Sequence, residues 1–256
     1  MGETGIKQYF GYNLAKLLAG KISDVHPGFD SPSFLESVHP SIGSLELKAR
    51  VNLIAVTLRK HLPQDYRISL SILLKILGKE NQKETGMFTT GYWLMPVAKY
   101  VELYGLEEFK ASTRAIYEIT KRHTGEYAIR PFLRKYPKKT IRIMEKWARD
   151  DNVHVRRLAS EGLRSRLPWA NRINLFCQDP TPVIEVLEHL KSDRSVFVRK
   201  SVANNLNDIL KDNYAAAIAV LTRWHKNATS ETRWIIKHAL RNEIRRKNPA
   251  AIALVR

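Results

Sequence analysis

The stretches DDNVHVRRLASEGL (150–163) and DRSVFVRKSVANNL (193–206) share one pattern, a polar turn followed by Val-x-Val-Arg, a second basic residue and an apolar helix. A shift of 43 residues superimposes them. The coinciding positions include Val155 with Val198, Arg156 with Arg199, and Leu163 with Leu206. A period of this length is typical of HEAT-type repeats, in which each unit is a pair of helices. The pattern therefore predicts stacked helix pairs.

Two weaker copies extend the pattern. The segments 126–136 and 229–246 place Arg130 and Arg233 where the clear copies have their first arginine. Helices pair without strands in such arrays, and the second helix of each pair lines the concave face. We therefore predict an all-α fold, an α-solenoid of HEAT-like helical repeats with a concave basic face.

Apolar residues elsewhere recur at helical spacing. On a first helix, Leu14, Leu17 and Leu18 are predicted to share one face. Further helices are predicted over 45–62, 66–77, 93–105 and 106–123, and loops over 24–33 and 78–92. No sustained two-residue alternation predicts strands. We expect a single domain, 1–256, with N-terminal helices and loops over 1–92 and a repeat array carrying the active-site face over 93–256.

Charge is concentrated in the second half of the chain. The sequence holds 43 basic and 25 acidic residues, a formal net charge of +18. Residues 1–119 contribute 14 basic and 12 acidic residues, whereas 120–256 contribute 29 and 13. Such asymmetry favours a binding face for a polyanion, with nucleic acid ahead of an anionic membrane.

The arginines that begin the repeated helices have two interpretations. A row of cations along an array can follow a phosphate backbone. Alternatively, Arg156 and Arg199 pair with the acidic turns before their helices, and we favour this structural role for these two. Other cations have no acidic turn residue nearby in sequence and are better candidates for phosphate contacts. The full predicted DNA-binding set is Arg130, Arg157, Arg164, Arg166, Arg199, Lys200 and Asn204.

Several familiar chemistries are absent from the sequence. It contains no Walker A loop, no dinucleotide-binding Gly-x-Gly-x-x-Gly, no His-Glu-x-x-His and no Gly-x-Ser-x-Gly. The single cysteine, Cys177, excludes an intramolecular disulfide and fits a reducing cytoplasm. We expect no metal, no cofactor and no membrane partner, and we expect a monomer.

The few acids of the basic half are the remaining candidates for catalysis. Glu161 lies on the first clear copy, and Asp208 follows one turn after Asn204, which takes the Glu161 position in the second copy. Glu126 precedes the weak copy at 126–136. These three acids can converge on one face, or each can be a solvated residue or an arginine partner. Trp169, after Pro168, either packs at a helix end or presents its face to a flat or cationic ligand.

Three segments resemble the AlkC branch of the DNA alkylation repair glycosylases, a family of HEAT-like repeat proteins related to the AlkD branch. They are EYAIRPFL (126–133), VRRLASEGLRSRLPWA (155–170) and VRKSVANNLNDI (198–209), and HPGFDSPSFL (26–35) also fits. The resemblance implies that Glu126, Glu161, Asp208 and Trp169 form the catalytic set. It further implies a monofunctional glycosylase that removes cationic alkylated bases, chiefly 3-methyladenine and, in this branch, 3-methylcytosine, from double-stranded DNA. Some members of this branch carry an additional immunoglobulin-like C-terminal domain, which we do not expect in this chain.

Three other functions fit parts of the pattern. A non-catalytic HEAT-repeat protein that recognises unusual DNA structure needs the basic face but not the acids. A scaffold for acidic proteins needs neither the acids nor Trp169. An RNA-binding solenoid shares the basic face, and a competition between duplex DNA and RNA separates it from the first two.

Overall fold

The computed structural model describes residues 5–255, and these residues form helices joined by turns and loops, without a strand. The described residues divide into two compact units, between Pro131 and Phe132. No helix in this part of the chain has the length and apolar run needed to cross a bilayer. The predicted all-α fold is confirmed, whereas the prediction of a single domain stays a prediction.

The first unit contains six α-helices and two short 3₁₀ helices among its described residues. The α-helices are α1 (Tyr12–Val25), α2 (Ser31–Ile42), α3 (Leu47–His61), α4 (Tyr66–Lys75), α5 (Met95–Tyr104) and α6 (Phe109–Thr120). The 3₁₀ helices are Ile6–Phe10 and Tyr92–Leu94. Helix α2 packs against α1 and α3, α3 packs against α5, and α4 and α5 pack against α6. The short helix α7 (Arg130–Lys135) contains the division between the units.

Helix α1 corrects one detail of the sequence pattern. Leu14 and Leu18 are buried as predicted, but Leu17 is 40% exposed. The buried face of α1 instead runs through Ala15, Ala19 and Ile22. The apolar stripe of α1 therefore leaves Leu17 at its edge. The predicted loop at 24–33 contains the observed break between α1 and α2, and the predicted loop at 78–92 lies within the break between α4 and α5, although its last residue, Tyr92, begins a 3₁₀ helix.

The second unit consists mostly of helix pairs. Its helices are α8 (Pro137–Trp147), α9 (Val153–Glu161), α10 (Asn174–Gln178), α11 (Thr181–Glu188), α12 (Val196–Asp212), α13 (Tyr214–His225), α14 (Ser230–Ala239), α15 (Arg241–Arg245) and α16 (Pro249–Ala253). Helix α12 packs against α9 on one side and α14 on the other, while α8 packs against α9 and α11. The helices α9, α12 and α14 therefore form a row.

The three helices of this row begin in the same way. Each follows a polar residue whose side-chain oxygen accepts hydrogen bonds from backbone N–H groups of the first turn. These caps are Asn152 before α9, Ser195 before α12 and Thr229 before α14. Such caps satisfy donors that have no partner inside the helix. The caps of α9 and α12 lie 43 residues apart, so the sequence repeat is also a structural repeat.

Candidate active site

The first arginine of each clear repeat stabilises the turn before its helix. Arg156 donates from Nη1 to the backbone carbonyls of Asp150 and Asp151 at 2.9 and 2.8 Å, and from Nε to the Asp193 carboxylate at 2.6 Å. Arg199 donates from Nη1 to the Asp193 carbonyl at 3.0 Å. The favoured structural interpretation therefore describes both arginines, although the Asp193 carboxylate binds the arginine of the preceding repeat.

The acids of α9 and α12 meet at one arginine. Arg164 donates from Nη1 to Glu161 Oε1 and from Nε to Asp208 Oδ2, each at 2.8 Å. Glu161 is 6% exposed and Asp208 is 2% exposed, so the contact is nearly shielded from water. We call Glu161, Arg164 and Asp208 the acidic seam. Two of the four residues implied as catalytic are therefore brought together by a residue between them.

The Glu161 carboxylate is held at both oxygens. In addition to Arg164 at Oε1, the Ser201 hydroxyl of α12 donates to Oε2 at 2.6 Å. Arg157, one turn earlier on α9, places Nη2 3.7 Å from Oε1 and its guanidinium 4.9 Å from the centre of the Phe197 ring. Two cations and a hydroxyl thus fix the position of this carboxylate.

These neighbours decide the charge of Glu161. Burial by itself raises the pKa of a carboxyl group, because it penalises the ionised form. The positive charges of Arg157 and Arg164, together with the hydrogen bonds from Ser201 and Arg164, outweigh burial and hold the pKa of Glu161 below its ordinary value. Glu161 is therefore ionised at neutral pH, which makes it a stable negative charge and a weak base.

The pKa of Arg164 is shifted in the opposite direction to that of Glu161. Burial opposes the charged guanidinium, but Glu161 and Asp208 overcome this effect and raise the pKa of Arg164. Asp208 has a second cation at its other oxygen, where Lys211 Nζ lies 3.1 Å from Oδ1. The acidic seam thus holds two carboxylates in fixed positions in a poorly hydrated environment, where electrostatic interactions are stronger than in water.

Trp169 differs from the buried tryptophans of the second unit. It is 54% exposed, and its backbone φ of 63° lies in the left-handed region. A bulky residue rarely adopts this conformation, which costs on the order of 1–3 kcal/mol and is concentrated at functional sites. The exposed ring favours the ligand-contact interpretation over packing at a helix end.

The structure corrects the argument for two predicted phosphate contacts. The sequence shows no acidic turn residue near Arg164 or Arg166, yet both pair with acids of α12. Arg164 binds Asp208, and Arg166 binds both oxygens of Asp212, with Nε at 3.0 Å from Oδ1 and 2.9 Å from Oδ2. Asp208 and Asp212 lie more than 40 residues away, so local sequence does not reveal them, whereas Glu161, the other partner of Arg164, lies three residues before it.

The other predicted DNA-binding residues have varied surroundings. Lys200 is exposed on α12, whereas Asn204 accepts a hydrogen bond from Arg241 Nη2 at 3.0 Å. Arg130 belongs to the first unit and is 2% exposed, which favours a structural role. Phosphate contacts by this set stay predictions.

Glu126 also belongs to the first unit. It is buried, and its Oε2 accepts a hydrogen bond from the Thr124 hydroxyl at 3.0 Å. Its membership of one acidic cluster with Glu161 and Asp208 stays a prediction.

Ser201 and Lys211 are parts of the site that the sequence pattern does not predict. Their only signal is position, because both lie on α12 within one turn of a predicted site residue. In residues 5–255, no group of three or more His, Cys, Asp and Glu side chains is arranged to hold a metal ion.

Comparisons with known proteins show the family of this chain. The family described as DNA alkylation repair enzyme matches residues 110–242, which include the whole acidic seam. The protein YhaZ of Bacillus subtilis (strain 168) is 36% identical over 250 residues, or 97% of this chain and 67% of that protein.

A solved structure is also similar. The alkylpurine DNA glycosylase AlkC of Pseudomonas fluorescens, bound to DNA containing an abasic site analog, superimposes with a TM-score of 0.89 at 35% identity, covering 99% of this chain and 68% of that one. The resemblance found in the sequence is confirmed: this chain belongs to the DNA alkylation repair enzyme family.

Proposed function

We propose that this protein is a monofunctional DNA glycosylase that hydrolyses the N-glycosidic bond of cationic alkylated bases during base excision repair. The observation that carries the proposal is the pair of buried carboxylates held by Arg164 in the acidic seam. The family of the chain and its similarity to an alkylpurine DNA glycosylase support the same activity.

The buried carboxylates of the acidic seam suit the chemistry of this reaction. Alkylation at N3 places positive charge on adenine and weakens its bond to the sugar. As the base departs, positive charge develops on the sugar in an oxocarbenium-like transition state, which glycoside hydrolases also stabilise with carboxylates. A negative charge held in place before the reaction begins stabilises that state without reorganisation.

Glu161 is the better candidate for this electrostatic role. Its lowered pKa keeps it ionised, and its contacts with Arg164 and Ser201 fix its position. We assign the orientation of the attacking water to Asp208, the second carboxylate that Arg164 holds in the acidic seam. Trp169 contacts the sugar or the cationic base through its exposed ring.

We propose 3-methyladenine as the main substrate and 3-methylcytosine as a further one, since both carry positive charge. The mechanism needs no lysine Schiff base, so the product is an intact strand with an abasic site. The rival function is a DNA-binding protein in which Glu161 and Asp208 serve only as partners of Arg164. That rival predicts DNA binding without base release.

Base release separates the two functions directly. Genomic DNA treated with a methylating agent is incubated with the protein, and the free bases are identified by chromatography. We expect 3-methyladenine to appear faster than in a sample without protein. Release at only the spontaneous rate, by protein that binds the same DNA, would establish the rival. A second substrate, duplex DNA with a single 3-methylcytosine, tests the wider substrate range.

A further inference from the structure

The repeat places a second arginine in the position of Arg164. The ninth residue after the N-cap is Glu161 for α9, Asn204 for α12 and His238 for α14. Three residues beyond Glu161 is Arg164, and three residues beyond His238 is Arg241. Arg241 thus follows α14 as Arg164 follows α9, and both arginines reach α12, Arg164 at Asp208 and Arg241 at Asn204. We call Asn204, His238 and Arg241 the basic seam.

The two arginines have different acceptors. Arg164 donates to two carboxylates, whereas Arg241 donates from Nη1 to the backbone carbonyl of His238 at 2.6 Å and from Nη2 to Oδ1 of Asn204 at 3.0 Å. Both acceptors of Arg241 are neutral. Within residues 5–255, no carboxylate forms an ion pair with Arg241. Its positive charge is therefore not neutralised, whereas two carboxylates neutralise the charge of Arg164.

The surroundings of Arg241 add positive charge. Burial and the charges of Arg164 and Arg245 lower the pKa of Arg241, with Asp208 opposing them. The pKa of His238 is lowered by burial, Arg241 and Lys200. Cations that repel one another in a partly buried site are stabilised when an anion binds among them.

The residue types also favour an anion. Asn204 replaces the acid found at this position in α9, and its amide group can donate a hydrogen bond to an anion, which a carboxylate cannot. A guanidinium provides two parallel N–H donors that match two phosphate oxygens. Lys200, one turn before Asn204 on α12, supplies an exposed charge beside them.

We propose that Arg241, Asn204 and Lys200 bind one phosphodiester group of the DNA backbone at the basic seam. The proposal rests on DNA being the partner, and it does not require that the protein release a base. Arg241 is not part of the DNA-binding set that the sequence predicts. In a purely structural role, Arg241 would instead only stabilise the C-terminal end of α14 through the His238 carbonyl.

The test is the salt dependence of binding to a short labelled duplex of unmodified DNA. Loss of one phosphate contact reduces the slope of log affinity against log salt by about 0.9. We expect this reduction for Arg241→Gln, together with weaker binding at low salt. Arg241→Lys keeps the charge and should keep most of the slope, while binding more weakly than the wild type.

Arg223→Gln is the matched control. Arg223 lies on α13, outside the row of helices, and pairs with Glu188, so its replacement removes the same formal charge elsewhere. We expect a slope close to that of the wild type. Circular dichroism and urea unfolding confirm that each variant is folded before its binding is compared.

The outcomes separate this site from the proposed enzymatic activity. A folded Arg241→Gln variant with the wild-type slope, or with no more change than Arg223→Gln, would overturn the site even if the protein releases bases. The expected reduction in slope would support the site even if no base is released. Failure of the wild type to bind duplex DNA would overturn both.

Discussion

The acidic and basic seams are built on the same backbone plan but carry different charges. Each has an arginine three residues after the aligned position and a neighbouring helix that supplies its acceptor. Between α9 and α12 the acceptors are carboxylates, whereas between α12 and α14 they are an amide and a backbone carbonyl. The acceptors that α12 and the preceding helix offer therefore decide whether the arginine is neutralised or is available for an anion.

This difference gives each seam its own task. The acidic seam holds negative charge where a cationic transition state can use it, and the basic seam holds positive charge where a phosphate can bind. A repeat protein can place these opposite charges on adjacent helices because each helix pair has its own caps and core contacts. Substitutions that exchange or remove the distinguishing groups test the comparison.

Removal of Arg164 should have the largest effect. Arg164→Met leaves Glu161 and Asp208 buried without their shared cation, and we expect the free energy of unfolding to fall by about 3–5 kcal/mol. Urea unfolding at neutral pH measures this loss. Because the pKa of Glu161 is lowered in the folded wild type, its contribution is present above pH about 4.3 and is lost as pH falls through the folded pKa. The difference in the free energy of unfolding between the wild type and Arg164→Met should therefore become smaller at acidic pH.

Arg223→Met is the control for that loss, because Arg223 is mostly exposed and its ion pair is on the surface. Such pairs contribute at most about 1 kcal/mol. Equal losses of unfolding free energy in the two variants would show that Arg164 contributes no more to stability than a surface ion pair does.

Asp208→Asn should greatly slow base release while leaving DNA binding intact. We expect a decrease of roughly 10²-fold to 10³-fold in the single-turnover rate, because the amide can neither take up a proton from water nor carry negative charge. Asp212→Asn is the comparison on the same helix, since Asp212 pairs with Arg166 and lies outside the acidic seam. Similar losses in both variants would contradict the assignment of Asp208.

Ser201→Ala should have a smaller effect on the same seam. It removes a hydrogen bond to an ionised carboxylate, an interaction that contributes about 1.5–3 kcal/mol. Since that bond favours the ionised form, its loss should raise the pKa of Glu161, and the stability deficit should shrink as pH falls. Urea unfolding at neutral and acidic pH measures this, and a deficit independent of pH would mean that Ser201 contributes only to packing.

Asn204→Asp should convert the basic seam toward the acidic one, with the smallest effect on stability. A carboxylate beside Arg241 should stabilise the fold by less than about 1 kcal/mol, because Arg241 is only partly buried. It should also reduce the salt slope of DNA binding by about 0.9, as a neutralised arginine no longer binds phosphate. An unchanged slope would indicate that the two seams do not differ in the way their charges suggest.

The repeat pattern predicted most of the fold because caps and apolar spacing are local. Asn152 and Ser195 lie at equivalent positions and begin α9 and α12 at equivalent residues. Leu17 was predicted incorrectly because the direction of the buried face of α1 depends on its neighbour, which helical spacing does not specify.

The candidate site was predicted less completely. Glu161 and Asp208 were identified from the scarcity of acids and from the family resemblance, and they do share a partner. That partner, Arg164, is predicted to contact phosphate because no acidic turn residue lies near it in sequence, but it pairs with Glu161 three residues before it and with Asp208 44 residues away on another helix. Pairings between helices depend on how repeats stack, so a single sequence does not reveal them.

The most direct test of the central claim is the single-turnover release of 3-methyladenine from methylated duplex DNA by Glu161→Gln. Glu185→Gln, an exposed acid on α11, is the control and should retain the wild-type rate. We predict that Glu161→Gln binds the DNA but releases the base roughly 10²-fold to 10³-fold more slowly, because the fixed negative charge is gone. Release at the wild-type rate by folded Glu161→Gln protein would contradict the claim that the acidic seam stabilises the sugar cation that forms as the base departs.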